Sequence, residues 1–253
     1  MSGPGLRFKV ARRLATIFQE ASTRPVRFNE AVDEENGAIF VAVPKTGTTS
    51  IRNQMRRTDV DYQVIEPHLS IREIRDGLRA YFLFNAMHKN RAYPCDAEAH
   101  KSYDEVIAEH QRFFNDSFKF STVRNPWARV VSLYNRREGL RVAGDMDFTD
   151  FCLKLRYASD TCNIPTRHDC QIDWLTDETG TLLVDHVMRL EEMGDELQKI
   201  SDLSAGRVKL TVSFDNMNPA SKSRNYRDLF SPEAREHVSK IFARDIEAFG
   251  YSF

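Results

Sequence analysis

Two short stretches hold the residue types that anion chemistry needs. The first, Pro44-Lys45-Thr46-Gly47-Thr48-Thr49-Ser50, puts one cation, four hydroxyls and one glycine within seven residues. A strand that feeds a helix through such a turn aims free backbone N–H groups at one point, which makes an anion site. Gly47 allows close backbone approach, and Lys45 adds a cation at the mouth. The second stretch starts at Arg124 and reaches Ser132. Ser132 comes seven residues after Asn125, about two helical turns, so it returns to the side on which the helix begins. A guanidinium and a hydroxyl on one side suit a single phosphate. The order of residues matters in the first stretch. The ATPase loop reads GxxxxGK[ST], whereas here Lys45 precedes Gly47 and no glycine holds the motif's first position. The stretch fits a phosphate-type loop and fits an ATPase poorly. Two plainer readings stay open, a hydroxyl-rich helix cap with an incidental lysine and a structural arginine at a strand end.

Both stretches need elements that present them. Ala38-Ile-Phe-Val-Ala-Val43 is a continuous apolar run, as a buried parallel strand requires, and a helix carrying Ile51 and Met55 is expected after the turn. Phe118-Lys-Phe-Ser-Thr-Val123 is strand-like and ends just before Arg124. Asn125 and Pro126 then sit where an N-cap and an N1 proline belong. Trp127, Val130, Val131 and Tyr134 follow at i, i+3, i+4 and i+7, one apolar face. Strand–turn–helix twice over predicts an α/β fold with a parallel sheet. Near the C-terminus, Ser231 as cap, Pro232 as N1, and Val238, Ile241, Phe242 and Phe249 on one face predict a single helix stopped by Gly250.

Charge and composition narrow the function classes. Among 253 residues, 36 basic and 37 acidic side chains leave a net charge of −1, against the strongly basic signature of a nucleic-acid binder. The charge is uneven, however. Residues 118–141 carry six basic and one acidic side chain, residues 1–30 six and two, and residues 173–202 two and nine. A positive field inside a neutral chain points to an anionic small ligand. A 41% hydrophobic share can fill a core. No apolar run reaches the ~18–20 residues of a membrane span, and Arg12 and Arg13 interrupt the only signal-like stretch. Four scattered cysteines make no disulfide framework. These features predict a soluble, cytoplasmic protein. Residues 1–30 form an N-terminal basic arm, and Phe8, Ala11, Leu14, Ala15 and Phe18 share one side of a helix there. That helix is suited either to dock on the domain or to meet a membrane surface through residues 6–19. Residues 31–253 are expected to be one domain.

The two stretches together are specific. PKTGTTSI at 44–51 resembles the 5′-phosphosulfate loop of carbohydrate sulfotransferases, and RNPWARVVSLY at 124–134 resembles their 3′-phosphate motif, with Arg124 and Ser132 at matching positions. The likeness is to bacterial relatives of the Golgi 2-O-sulfotransferase and chondroitin sulfotransferase group. Weaker similarities follow in order: Gln171-Ile-Asp-Trp-Leu175, Leu183-Val-Asp185, Arg189-Leu-Glu191, Tyr226-Arg-Asp-Leu-Phe230 and residues 243–253. The resemblance implies a three-layer α/β domain around a central parallel sheet with flanking helices, related to nucleotide kinases. It implies 3′-phosphoadenosine 5′-phosphosulfate as donor, a glycan hydroxyl as acceptor, and no metal. Lys45 would stabilise charge on the bridging oxygen and the amides of Thr46, Gly47, Thr48, Thr49 and Ser50 would hold the 5′-phosphate. Arg124 and Ser132 would hold the 3′-phosphate. An ATP-dependent small-molecule kinase and a non-catalytic nucleotide-binding protein are the competing readings.

A general base must take the acceptor's proton. His100 is the first candidate, because the segment from His100 into the Phe118 strand resembles the family's histidine-bearing segment. His68, in His68-Leu-Ser-Ile-Arg-Glu-Ile-Arg75, shares part of that likeness. His88 and Glu98 follow. Cys162, His168 and Cys170 fit no standard zinc spacing and are expected to be structural.

Overall fold

The computed structural model describes residues 28, 31–55, 68–92 (backbone alone from 87), 101–135, 143–154, 170–211 and 225–253. The strands are β1 (Val32–Asp33), β2 (Ala38–Val41), β3 (Phe118–Val123) and β4 (His186–Arg189). The helices are α1 (Thr48–Met55), α2 (Ile71–Ala92), α3 (Tyr103–Asp116), α4 (Pro126–Tyr134), α5 (Phe148–Lys154), α6 (Met193–Leu203), α7 (Pro232–Ile241) and α8 (Ala243–Phe249).

The sheet order is β1-β2-β3-β4. β2 pairs in parallel with β3 from Ala38↔Phe118 to Val41↔Ser121, and β3 with β4 from Phe120↔His186 to Val123↔Arg189. The two-residue β1 pairs antiparallel to β2. The sheet is therefore mixed: its three parallel strands are the central parallel sheet expected from the sequence, and a short antiparallel strand is added at the edge. So short an edge strand leaves no periodic signal to read.

The apolar run at 38–43 is buried throughout and serves both faces, as a central parallel strand must. Ile39, Val41 and Val43 point into one cluster with Leu69 just before α2, Ile71, Ile74 and Leu78 in its first turns, Phe114 of α3 and Trp174. Ala38, Phe40 and Ala42 point the other way, onto Ile51 of α1, Phe120, Met188, and Leu197 and Ile200 of α6. Helices on both faces of the sheet make the three-layer α/β fold. A third cluster joins α4, α5 and α7 through Trp127, Val130, Phe148, Phe151 and Val238. Phe28, assigned by sequence to the N-terminal arm, is fully buried in the first cluster and meets Tyr81 edge-on at 6.1 Å.

One expected element breaks in two. The single C-terminal helix ends at Ile241 and restarts at Ala243, with Phe242 between them at φ −100° and ψ 23°. Phe242 is fully buried in the third cluster, 5.8 Å from the Arg129 guanidinium. Burying that ring is worth roughly 1.5–3 kcal/mol, enough to offset an interrupted helical ladder. Ser231, Pro232 and Gly250 take the predicted capping places, with Gly250 left-handed at φ 62°.

Candidate active site

β2 and β3 run in parallel, so the turns that follow them emerge at the same end of the sheet. Those turns are the two stretches that the sequence singles out as candidate anion sites. In the first, Lys45 and Gly47 both have positive φ, 72° and 80°. A non-glycine residue there costs of order 1–2 kcal/mol, and such strain is concentrated where structure serves a site. Thr46 is fully buried. Its hydroxyl donates to Val43 O at 2.9 Å and lies 2.9 Å from Thr122 Oγ1, pinning the loop to β3. A Cβ on Gly47 would stand 2.6 Å from Leu190 Cδ1, so the segment after β4 covers the loop closely. Thr48 is buried while Thr49 is exposed and Ser50 is partly exposed.

The second turn is capped as the sequence indicates. Asn125 Oδ1 accepts from the amides of Trp127 and Ala128, and Pro126 opens α4. The Asn125 amide donates to Glu191 Oε1 at 2.8 Å, and its side chain donates to Ser252 O at 2.9 Å. Tyr251 donates its hydroxyl to Glu191 Oε2 at 3.2 Å. Arg124 is partly buried just past β3. Its amide donates to Gln171 Oε1 at 2.9 Å, and its carbonyl accepts from Gln171 Nε2 at 2.8 Å. The guanidinium makes no hydrogen bond or ion pair among the described residues. Burial pushes Arg124 below the ordinary arginine value, with the charge of Glu191 opposing and Arg129 adding to the depression. Ser132, also partly exposed, has no hydrogen-bond partner for its hydroxyl among the described residues. A desolvated cation without a partnered nitrogen gains most from an anion.

His68 stands beside the first turn, with Nδ1 2.8 Å from the Ala42 carbonyl. A carbonyl only accepts, so Nδ1 carries the proton and Nε2 is the acceptor of the neutral ring. His100 and Glu98 lie outside the described residues, as does the side chain of His88. The arm at 1–27, including residues 6–19, is outside them too. So are Cys162 and His168. Cys170 is buried, donates to Ile241 O at 3.6 Å, and burial pushes its thiol up to about 12. Among the described residues no His, Cys, Asp or Glu side chains group as metal ligands, and no helix is long and apolar enough to cross a membrane.

Sequence reasoning passed over several residues that build this site. Arg129 is fully buried in α4 and donates from Nε to Pro44 O at 3.1 Å, tying α4 to the lysine loop. A lone charge in an otherwise apolar helix was the available signal, since such a group is buried only with partners. Glu191 and Gln171 lay within stretches noted for family likeness, but their contacts join positions 47 to 66 residues apart. Asp245 is fully buried and accepts from the Gln171 and Ile172 amides at 2.8 and 2.9 Å. Nothing local in Ala243–Phe249 marks it.

A family model described as the sulfotransferase family matches residues 29–252 of the chain. No curated protein and no solved structure matches it.

Proposed function

The chain belongs to the sulfotransferase family, and on that premise we propose that it transfers a sulfo group from 3′-phosphoadenosine 5′-phosphosulfate to a hydroxyl of a carbohydrate. The observation that carries this reading is Arg124, a partly buried guanidinium with no partner for its nitrogens among the described residues, at the sheet end that also carries the Lys45 loop. A 3′-phosphate distinguishes this donor from ATP, and Arg124 with the Ser132 hydroxyl supplies complementary donors for one. The amides of Thr46, Gly47, Thr48, Thr49 and Ser50 face the 5′-phosphate, with Thr46 contributing through its backbone because its hydroxyl is committed to Val43 and Thr122.

When bound, the donor supplies an activated sulfo group whose sulfur–oxygen bond to the phosphate breaks as the acceptor oxygen bonds to sulfur. The chain's own work is positioning and charge stabilisation. Lys45 neutralises charge gathering on the bridging oxygen. His68 takes the acceptor's proton at Nε2, its ring oriented by the Nδ1–H bond to Ala42 O. His100 is the competing base, and single substitutions at the two positions decide between them. The protein acts as a single domain in the cytoplasm.

Thermal shift with adenosine 3′,5′-bisphosphate, 5′-AMP and ATP tests the donor class. Stabilisation by the bisphosphate well beyond that by the other two is expected. A larger shift with ATP and magnesium would instead favour a small-molecule kinase and overturn the reading.

A further inference from the structure

Arg124 follows the last residue of β3, where the pairing with β4 ends at Val123↔Arg189. Among the described residues no strand neighbour remains to fix its backbone. Gln171 takes that place: its side-chain amide accepts from the Arg124 N–H at 2.9 Å and donates to the Arg124 C=O at 2.8 Å, as an adjacent strand would. Two hydrogen bonds on one residue set the direction of its Cα–Cβ bond, and with it where the guanidinium can reach.

Gln171 is itself fixed. It is fully buried, its backbone N–H donates to Asp245 Oδ2 at 2.8 Å, and its Nε2 lies 3.3 Å from the same oxygen. The other oxygen, Oδ1, accepts from the Ile172 amide at 2.9 Å. Asp245 also lies within the electrostatic reach of Arg129, whose Nε holds the Pro44 carbonyl next to Lys45. One buried carboxylate thus holds Gln171 behind Arg124 directly, and lies in the field of the arginine that holds the Pro44 carbonyl. A buried carboxylate is costly, and joining α8 to the 171–174 turn alone needs only apolar contact.

We propose that Gln171, locked by Asp245, is a positioning residue that aims Arg124 at the 3′-phosphate of the donor. The proposal rests on the reading of Arg124 as the 3′-phosphate ligand. Gln171 touches no ligand and acts through Arg124 alone.

Titration calorimetry with adenosine 3′,5′-bisphosphate and with 5′-AMP tests it. The readout is the affinity ratio of the two nucleotides, which a general loss of stability does not move. Gln171→Met keeps the length and loses both bonds. It should cut the bisphosphate preference at least tenfold, out of the roughly 10- to 150-fold expected for Arg124→Ala. The double variant should be no worse than Arg124→Ala, because Gln171 has nothing to aim once the guanidinium is gone. Should Gln171→Met not fold, Gln171→Asn, which keeps the amide but cannot reach both backbone groups, should give the same loss. Equal weakening of both nucleotides, or additive losses in the double variant, overturns the proposal. If Arg124→Ala erases the preference and Gln171→Met retains it, the positioning role alone falls. If the wild-type protein shows no preference, the 3′-phosphate reading falls and takes the proposal with it.

Discussion

Replacing Gly47 by alanine probes whether the lysine loop has the shape described, and two separable effects set the magnitude. Gly47 sits at φ 80°, where an alanine costs about 1–2 kcal/mol through its Cβ. That Cβ would also lie 2.6 Å from Leu190 Cδ1. The atom it meets is the end of a partly exposed side chain, which can turn away for about 0.5–1.5 kcal/mol. The backbone effect therefore leads. Gly47→Ala should lose about 2 kcal/mol, a fall in melting temperature of roughly 4–8 °C for a chain of this size. Leu190→Ala in the same chain removes the contact but leaves φ unchanged. The alanine at 47 should then cost about 0.5–1.5 kcal/mol less than in the parent, and still cost something. Urea denaturation of the four proteins in this cycle measures both quantities. An alanine at 47 that costs nothing, or whose whole cost disappears with Leu190, would falsify the left-handed turn.

Three further outcomes follow from named groups. Lys45→Ala should depress turnover more than donor affinity, because charge on the bridging oxygen is greatest in the transition state; calorimetry beside initial rates measures both, and unchanged turnover would remove Lys45 from the chemistry. His68→Ala should lower turnover by ~10²–10⁴-fold while product-nucleotide binding survives; normal rates in that variant with inactive His100→Ala would hand the base to His100. His110, 5% exposed with Nε2 2.9 Å from Arg75 O, is held below its ordinary 6.5 chiefly by burial. The unfolded chain then binds the proton more tightly, so stability is intact above about 6.5 and drains away as pH falls from there toward the lower folded value. Urea midpoints between pH 7 and 5 should fall less in His110→Phe than in the parent, and parallel profiles would contradict it.

Local signals in the sequence carried the elements that present the candidate site. The apolar run at 38–43 and Phe118–Val123 lie in parallel register, and the Asn125–Pro126 start of α4 is capped as read. These rest on interactions within a few residues, which a single chain segment reveals. What stayed hidden depends on residues far apart. The break at Phe242 goes with burial of its ring in the third cluster, beside Arg129 of α4. Asp245 gains its role from amides 73 and 74 residues away. Thr46 reads as one more phosphate-facing hydroxyl until Thr122, 76 residues on, claims it. His68 and His100 sit in similar phrases, and no local pattern separates them.

Sulfur-labelled 3′-phosphoadenosine 5′-phosphosulfate offered with a panel of polysaccharides tests sulfo transfer most directly. The wild-type protein should move label onto at least one polysaccharide as an O-sulfate, and Lys45→Ala should abolish most of that transfer. Label that stays on the nucleotide with every acceptor, while the terminal phosphate of ATP is transferred, would contradict it.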